Sequence, residues 1–152
     1  MLRLALKAGG NVRVPMKVDY GVRALVDLAQ QGSARPIRTN EIAKRQHIPE
    51  PYLDQVLTNL NKFGFIRSRR GPRGGHLLAR EASDITLSDV VAALEGRTPP
   101  LDCILDADDC VLSGSCTQRD IWSGVEDAIQ SVLTATTISE LANPQVPVTV
   151  IR

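Results

Sequence analysis

Apolar positions divide the chain into short amphipathic pieces. Val18, Val22, Leu25, Val26, Leu28 and Ala29 recur at helical spacing and Gly32-Ser33 closes the run, which predicts a first helix over 18–31. A second, short helix starts at Thr39, passes Glu41-Ile42 and ends near Gln46. His47-Ile48-Pro49 reads as a turn, and Pro51 suits the first turn of a third helix, where a missing N–H costs little. There Leu53, Val56, Leu57 and Leu60 make one stripe, while Tyr52, Asp54, Gln55, Thr58 and Asn59 lie off it. Lys62-Phe63-Gly64 ends that helix, with Gly64 free to take a positive φ. Residues 65–69 and 76–79 read as two strands around the turn Arg70-Gly-Pro-Arg-Gly-Gly75. A fourth helix over 86–95 is capped by Thr86 or Ser88, and Thr98-Pro99-Pro100 stops it. A long helix over about 117–135 carries Ile121, Val125, Ala128 and Val132 at heptad-like spacing, with Trp122, Ile129 and Leu133 beside them. Thr137-Ile-Ser-Glu140 is a capping box opening a last short helix.

The pattern predicts a mostly α chain: a winged helix–turn–helix with a short β-hairpin wing and a long C-terminal helix whose heptad-like seam suits a dimerisation helix. It divides into an arm (1–16), the winged helix–turn–helix (17–80), a connecting helix with a loop (81–116), the dimerisation helix and short helix (117–142) and an irregular tail (143–152). At 152 residues it is one domain in size, and at 43% apolar it has material for a core. With only 3% aromatic residues, that core is mainly aliphatic. No apolar run approaches the roughly 20 residues needed to cross a bilayer, and the basic start lacks the apolar stretch of a secretory signal. Both point to a cytoplasmic protein. No catalytic constellation stands out, so an enzyme is not expected.

The net charge of +1 hides an asymmetry. Residues 1–80 hold 15 Lys/Arg against 5 Asp/Glu, and residues 81–152 hold 3 against 12. Chance and solvation are the bland account. The alternative is a nucleic-acid face on the basic half. The second helix of the pair would enter the major groove of double-stranded DNA, which nominates Tyr52, Asp54, Gln55 and Asn59. Carboxylates accept from cytosine N4 and Gln pairs with adenine, so these residue types can carry sequence information. At the hairpin, Arg67, Arg69, Arg70 and Arg73 among glycines suit a phosphate backbone or a narrow minor groove. His76 reads as structural or as a phosphate contact. The glycine-rich turn fits neither the dinucleotide fingerprint nor the P-loop pattern.

All three cysteines, Cys103, Cys110 and Cys116, fall in one loop as C-x6-C-x5-C. Clustered thiols in a reducing compartment suggest a metal or a redox role. Zinc and iron–sulfur clusters both suit thiolates, and the spacing does not separate them. His47 and His76 lie in the basic half, so a fourth ligand is a nearby oxygen donor such as Asp102, Asp106, Asp108, Asp109 or Asp120, or an external thiol. Three inert buried thiols are the structural alternative.

Together, Asp19-Tyr-Gly-Val-Arg-Ala-Leu25, Ile48-Pro-Glu-Pro-Tyr-Leu-Asp-Gln55, Arg69-Arg-Gly-Pro-Arg-Gly-Gly75, the cysteine triplet and Ile138-Ser-Glu-Leu141 form a specific pattern. Over about residues 16–142 the chain resembles the bacterial winged-helix regulators that include IscR, NsrR and CymR. The resemblance implies a homodimer joined through the long helix and bound to a palindromic operator. In cluster-bearing members the three cysteines hold an iron–sulfur cluster that senses iron–sulfur or iron status, redox stress or nitric oxide. Cluster-free members lack the triplet. By the resemblance, Cys103, Cys110 and Cys116 match the cluster cysteines, Asp54 the base-reading acidic position and Arg70 the wing arginine. IscR-like proteins carry His three residues after the last cysteine, where this chain has Arg119. NsrR-like proteins use an aspartate of the other subunit's first helix, and Asp19 stands at that position. This favours [4Fe–4S] over [2Fe–2S]. The first cysteine spacing is six residues rather than the five common in IscR and NsrR.

Overall fold

A computed structural model describes residues 13–143. Most of the expected arm (1–12) and of the expected tail (144–152) lies outside the described residues. Helix α1 (Met16–Gln31) starts two residues before the apolar pattern does. Pro15 sets this boundary: its carbonyl accepts from the backbone N–H of Val18 (3.0 Å) and Asp19 (3.1 Å), and proline has no N–H of its own to lose there. Helix α2 (Thr39–Gln46) ends at His47, which takes a left-handed φ of 52°. The turn is short, and the Ile48 N–H returns to the Ala43 carbonyl at 3.0 Å. Helix α3 (Glu50–Lys62) follows with Pro51 in its first turn, and Gly64 leaves it at φ 76°.

The core lies where the apolar stripes of these helices meet. Leu25 and Leu28 of α1, Ile42 of α2, and Leu53, Leu57 and Leu60 of α3 are buried together. Burying a Leu or Ile side chain contributes about 1.5–3 kcal/mol, so a few such residues suffice to hold a helix. A charge lies at the meeting of α1 and α2: Asp27 on α1 is 1% exposed. It accepts from Arg45 Nε (2.9 Å), Arg45 Nη2 (2.7 Å) and Gln46 Nε2 (3.1 Å), which ties α1 to the C-terminal end of α2.

Strands β1 (Ile66–Arg69) and β2 (Gly75–Leu78) pair antiparallel, with Ile66 opposite Leu78 and Ser68 opposite His76. Ile37, in the α1–α2 loop, pairs with His76 as an isolated bridge. Helix α4 (Leu87–Leu94) is capped by Thr86, whose hydroxyl accepts from Asp89 N–H while the Asp89 carboxylate accepts from Thr86 N–H. Ser88 instead donates to Gln130 Oε1 at 3.1 Å. The segment between α4 and α5 is less irregular than its sequence suggests, since Asp102–Ile104 and Ala107–Asp109 form single 3₁₀ turns.

Helix α5 (Arg119–Ala135) packs on α4 along one side only. Ile121, Val125, Ala128 and Val132 are exposed in the single chain, as is Trp122. Helix α6 (Ile138–Ala142) opens with the capping box Thr137/Glu140 and folds back onto α1. Ile138 is fully buried in the winged-helix core. The return is fixed by Leu87 N–H to Thr136 O and Ile138 N–H to Ile85 O, both 2.9 Å. The short helix that follows α5 in sequence therefore belongs in space with α1.

Candidate nucleic-acid interface and cysteine loop

The buried stripe of α3 faces α1 and α2, which turns its other side outward. Tyr52, Asp54, Gln55 and Asn59 are all exposed, Tyr52 by 61% although it is aromatic. The four sequence-nominated residues thus share the outer face of one helix held by a tight turn. In the wing, Arg67, Arg69, Arg70 and Arg73 are exposed, on β1 and on the tip that follows it. The tip is a tight loop: Gly71 takes φ 103°, and Gly74 N–H donates to Gly71 O at 2.9 Å.

Contacts that the sequence pattern does not foretell join the wing to the start of α2. Arg38 Nη2 donates to the Pro72 carbonyl at the wing tip. The His76 ring lies between two hydroxyls, Nδ1 2.8 Å from Ser68 Oγ and Nε2 3.0 Å from Thr39 Oγ1. Burial pushes its imidazole below the ordinary histidine value, and the carboxylate of Asp54 opposes that shift. No periodicity marks Arg38 or Thr39. Only the bridge between Ile37 and β2 brings them to the wing.

Ion pairs fix the helix–turn–helix from behind. Arg35 donates to both Glu41 oxygens, and the pair holds the Glu41 carboxyl below its usual range. Asp19 accepts from Arg23, whose Nη1 also donates to the Gln46 carbonyl at 2.8 Å. Asp19 is therefore connected to the last residue of α2, one step before the turn.

The three cysteines are free thiols. Cys103 is 8% exposed, and Cys110 and Cys116 are half-buried. Arg119 donates to the Cys103 carbonyl through Nε (3.1 Å) and Nη2 (2.9 Å), so it closes the loop across its base. Among the described residues, no three His, Cys, Asp or Glu side chains come together as a metal-holding group. The single chain brings neither the three thiols together nor Asp19 to them. The donor chemistry nonetheless fits an iron–sulfur cluster: three soft, unbridged sulfurs on one short loop. Among the described residues no helix is long and apolar enough to cross a membrane.

A helix pair with a tight turn, an outward second helix and an arginine-bearing hairpin defines a winged helix–turn–helix DNA-binding protein. A profile of the Rrf2 family, described as an iron-dependent transcriptional regulator, matches residues 14–144. Protein rrf2 of Nitratidesulfovibrio vulgaris is 38% identical over 130 residues, 86% of this chain and 87% of the relative. The regulator IscR of Escherichia coli is 34% identical over 134 residues, 88% and 82% of the two chains. Among solved structures, CymR of B. subtilis, the global cysteine regulator, superposes with TM-score 0.73 at 30% identity, covering 86% of this chain and 96% of that one. IscR of T. potens superposes with TM-score 0.72 at 32% identity, covering 93% and 94%. The chain belongs to the Rrf2 family. It is a DNA-binding transcription regulator, dimeric as Rrf2-family regulators are, and not an enzyme.

Proposed function

We propose that this regulator reads a palindromic operator and that its cysteine loop controls the reading through an iron–sulfur cluster, inside the cytoplasm. The observation that carries the DNA half is the shared exposure of Tyr52, Asp54, Gln55 and Asn59 on α3 beside Arg67, Arg69, Arg70 and Arg73 of the wing. In this reading α3 lies in the major groove, and the wing arginines follow the backbone or enter the minor groove. Two copies join along the exposed apolar face of α5, where Ile121, Val125 and Val132 stand unpaired within one chain. That pairing sets the half-site spacing.

Cys103, Cys110 and Cys116 would hold the cluster, with Asp19 of the partner subunit as fourth ligand; [4Fe–4S] is favoured over [2Fe–2S] because Arg119 stands where a histidine ligand would be. When bound, the cluster supplies redox and ligand-exchange chemistry sensitive to iron–sulfur or iron status, oxidants or nitric oxide. The chain supplies the transmission. Arg119 joins the loop to the start of α5, and Arg23 joins Asp19 to the end of α2. A change in the loop then tilts the paired recognition helices against their half-sites.

The second reading, a cluster-free or zinc-bound regulator switched by its thiols or by a protein partner, is favoured by the unassembled cysteines and by the likeness to CymR. Anaerobic visible absorption with iron and sulfide counts, on wild type and Cys110→Ala, separates the two. A brown wild type that bleaches in the variant supports the cluster, and the iron count gives its type. A wild type that stays colourless after anaerobic reconstitution overturns it in favour of the thiol, zinc or partner switch.

A further inference from the structure

The wing of this protein is fastened to the helix–turn–helix at several points, and the fastening converges on one side chain. Backbone bonds run both ways between Ile37 and His76, at 2.9 and 2.7 Å. Gly75 makes that approach possible: a Cβ there would stand 2.6 Å from the Ile37 carbonyl carbon and oxygen, and its φ of 147° is one that other residues rarely adopt. Arg38 reaches across to the Pro72 carbonyl. The His76 ring then spans from Thr39, the first residue of α2, to Ser68 on β1, between Arg67 and Arg69.

We infer that His76 is a positioning residue for DNA reading, which locks the arginine-bearing wing to the start of α2 so that wing and recognition helix meet the duplex as one rigid body. This rests on the DNA-reading proposal above and names what sets the geometry of that interface. The bridge needs a group with a hydrogen-bonding atom at each end, about an imidazole ring apart. A neutral imidazole donates through one nitrogen and accepts through the other, and each hydroxyl adapts to the nitrogen it faces. Burial keeps the ring neutral near pH 7. Without the bridge the wing keeps its arginines and loses its fixed angle, which costs affinity through the ordering required on binding. It does not change the number of phosphates neutralised.

The test uses the full-length dimer and a duplex recovered from a randomised pool by selection on the wild type. His76→Ala and Ser68→Ala are compared with wild type and with Arg70→Ala. Affinity is read as a function of salt, and groove contacts by chemical protection. The expected result for His76→Ala is a loss of about tenfold in affinity. Its salt slope is unchanged, because the loosened arginines still lie against the phosphates, while their insertion in the minor groove weakens, read as fading protection there, and major-groove protection persists. Ser68→Ala, on an exposed strand position that leaves the core intact, shows the same pattern more weakly. Combined with His76→Ala it adds little, as expected for two ends of one bond. Arg70→Ala instead lowers the salt slope by about one. Wild-type affinity and protection in both His76→Ala and Ser68→Ala would overturn the proposal. So would a uniform loss over both grooves, which marks a general loss of fold. If the wild type itself recovers no duplex from the pool, the failure lies in the DNA-reading proposal, and the positioning role falls with it.

Discussion

Asp27→Ala tests how the helix–turn–helix is held from behind. The carboxylate is 1% exposed and accepts three hydrogen bonds from α2, two from Arg45 and one from Gln46. Removing one partner of a buried ion pair typically costs about 3–5 kcal/mol, because the other charge stays behind in a poor solvent. Here the stranded partner has an outlet. The Arg45 side chain is 34% exposed and keeps Glu41 at 3.8 Å, so part of its hydration is recovered. The expected loss of unfolding free energy is therefore about 2–4 kcal/mol. Asp27→Asn keeps the shape and an acceptor, and should lose about half as much. Urea unfolding followed by far-ultraviolet circular dichroism measures both, at one fixed protomer concentration because the protein is a dimer. The double variant Asp27→Ala/Arg45→Ala should be less destabilised than the two single losses together, since the second change removes the stranded charge. A loss below about 1 kcal/mol for Asp27→Ala, or strict additivity in the double variant, would refute the reasoning.

Three further outcomes follow from the same structure. Gly75→Ala should destabilise by about 2–3 kcal/mol and loosen the wing, because its Cβ meets the Ile37 backbone and its φ is strained; at Gly21 an added Cβ crowds a side-chain end, Leu94 Cδ1, rather than backbone, so Gly21→Ala should cost less, which thermal melts of the pair will compare. Leu57→Ala should cost about 2–5 kcal/mol, since Leu57 is 2% exposed at the meeting of the helices, and a midpoint shift too small for that range would place it outside the core. Burial holds His76 below its unfolded value of about 6.5, so the ring is neutral in both states above that pH. As pH falls the unfolded chain takes up the proton first, and stability drops through the folded pKa. Wild type should therefore lose more melting temperature than His76→Gln between pH 7 and about pH 5.

The helices were legible because their stripes are clean. Leu53, Val56, Leu57 and Leu60 specify the buried side of α3, and with it the outward face that carries Tyr52, Asp54, Gln55 and Asn59. Capping boxes at Thr137 and the stop at Gly64 were readable from residue type alone. What escaped was long-range pairing. Ile37 is one apolar residue in a loop rich in Arg and Pro, and no local signal joins it to His76. Asp27 sits among apolar neighbours on α1 with no mark of a partner 18 residues away. The start of α1 at Met16 depends on how Pro15 presents its carbonyl, whereas the apolar period begins at Val18. The 3₁₀ turns of the cysteine loop were hidden by a stretch with no periodicity.

The return of α6 to α1 has a consequence for how the protein is made. Ile138 fills the winged-helix core from a point 60 residues beyond the end of the wing at Leu78. A nascent chain that has released α1, α2, α3 and both strands still lacks part of its own interior, and cannot complete it until α5 has also been synthesised. The DNA-reading unit can therefore close its core only once α5 and α6 have both been synthesised. A chain cut after the wing would expose the core surface that α6 covers, and would be a substrate for proteolysis rather than a monomeric competitor for operators.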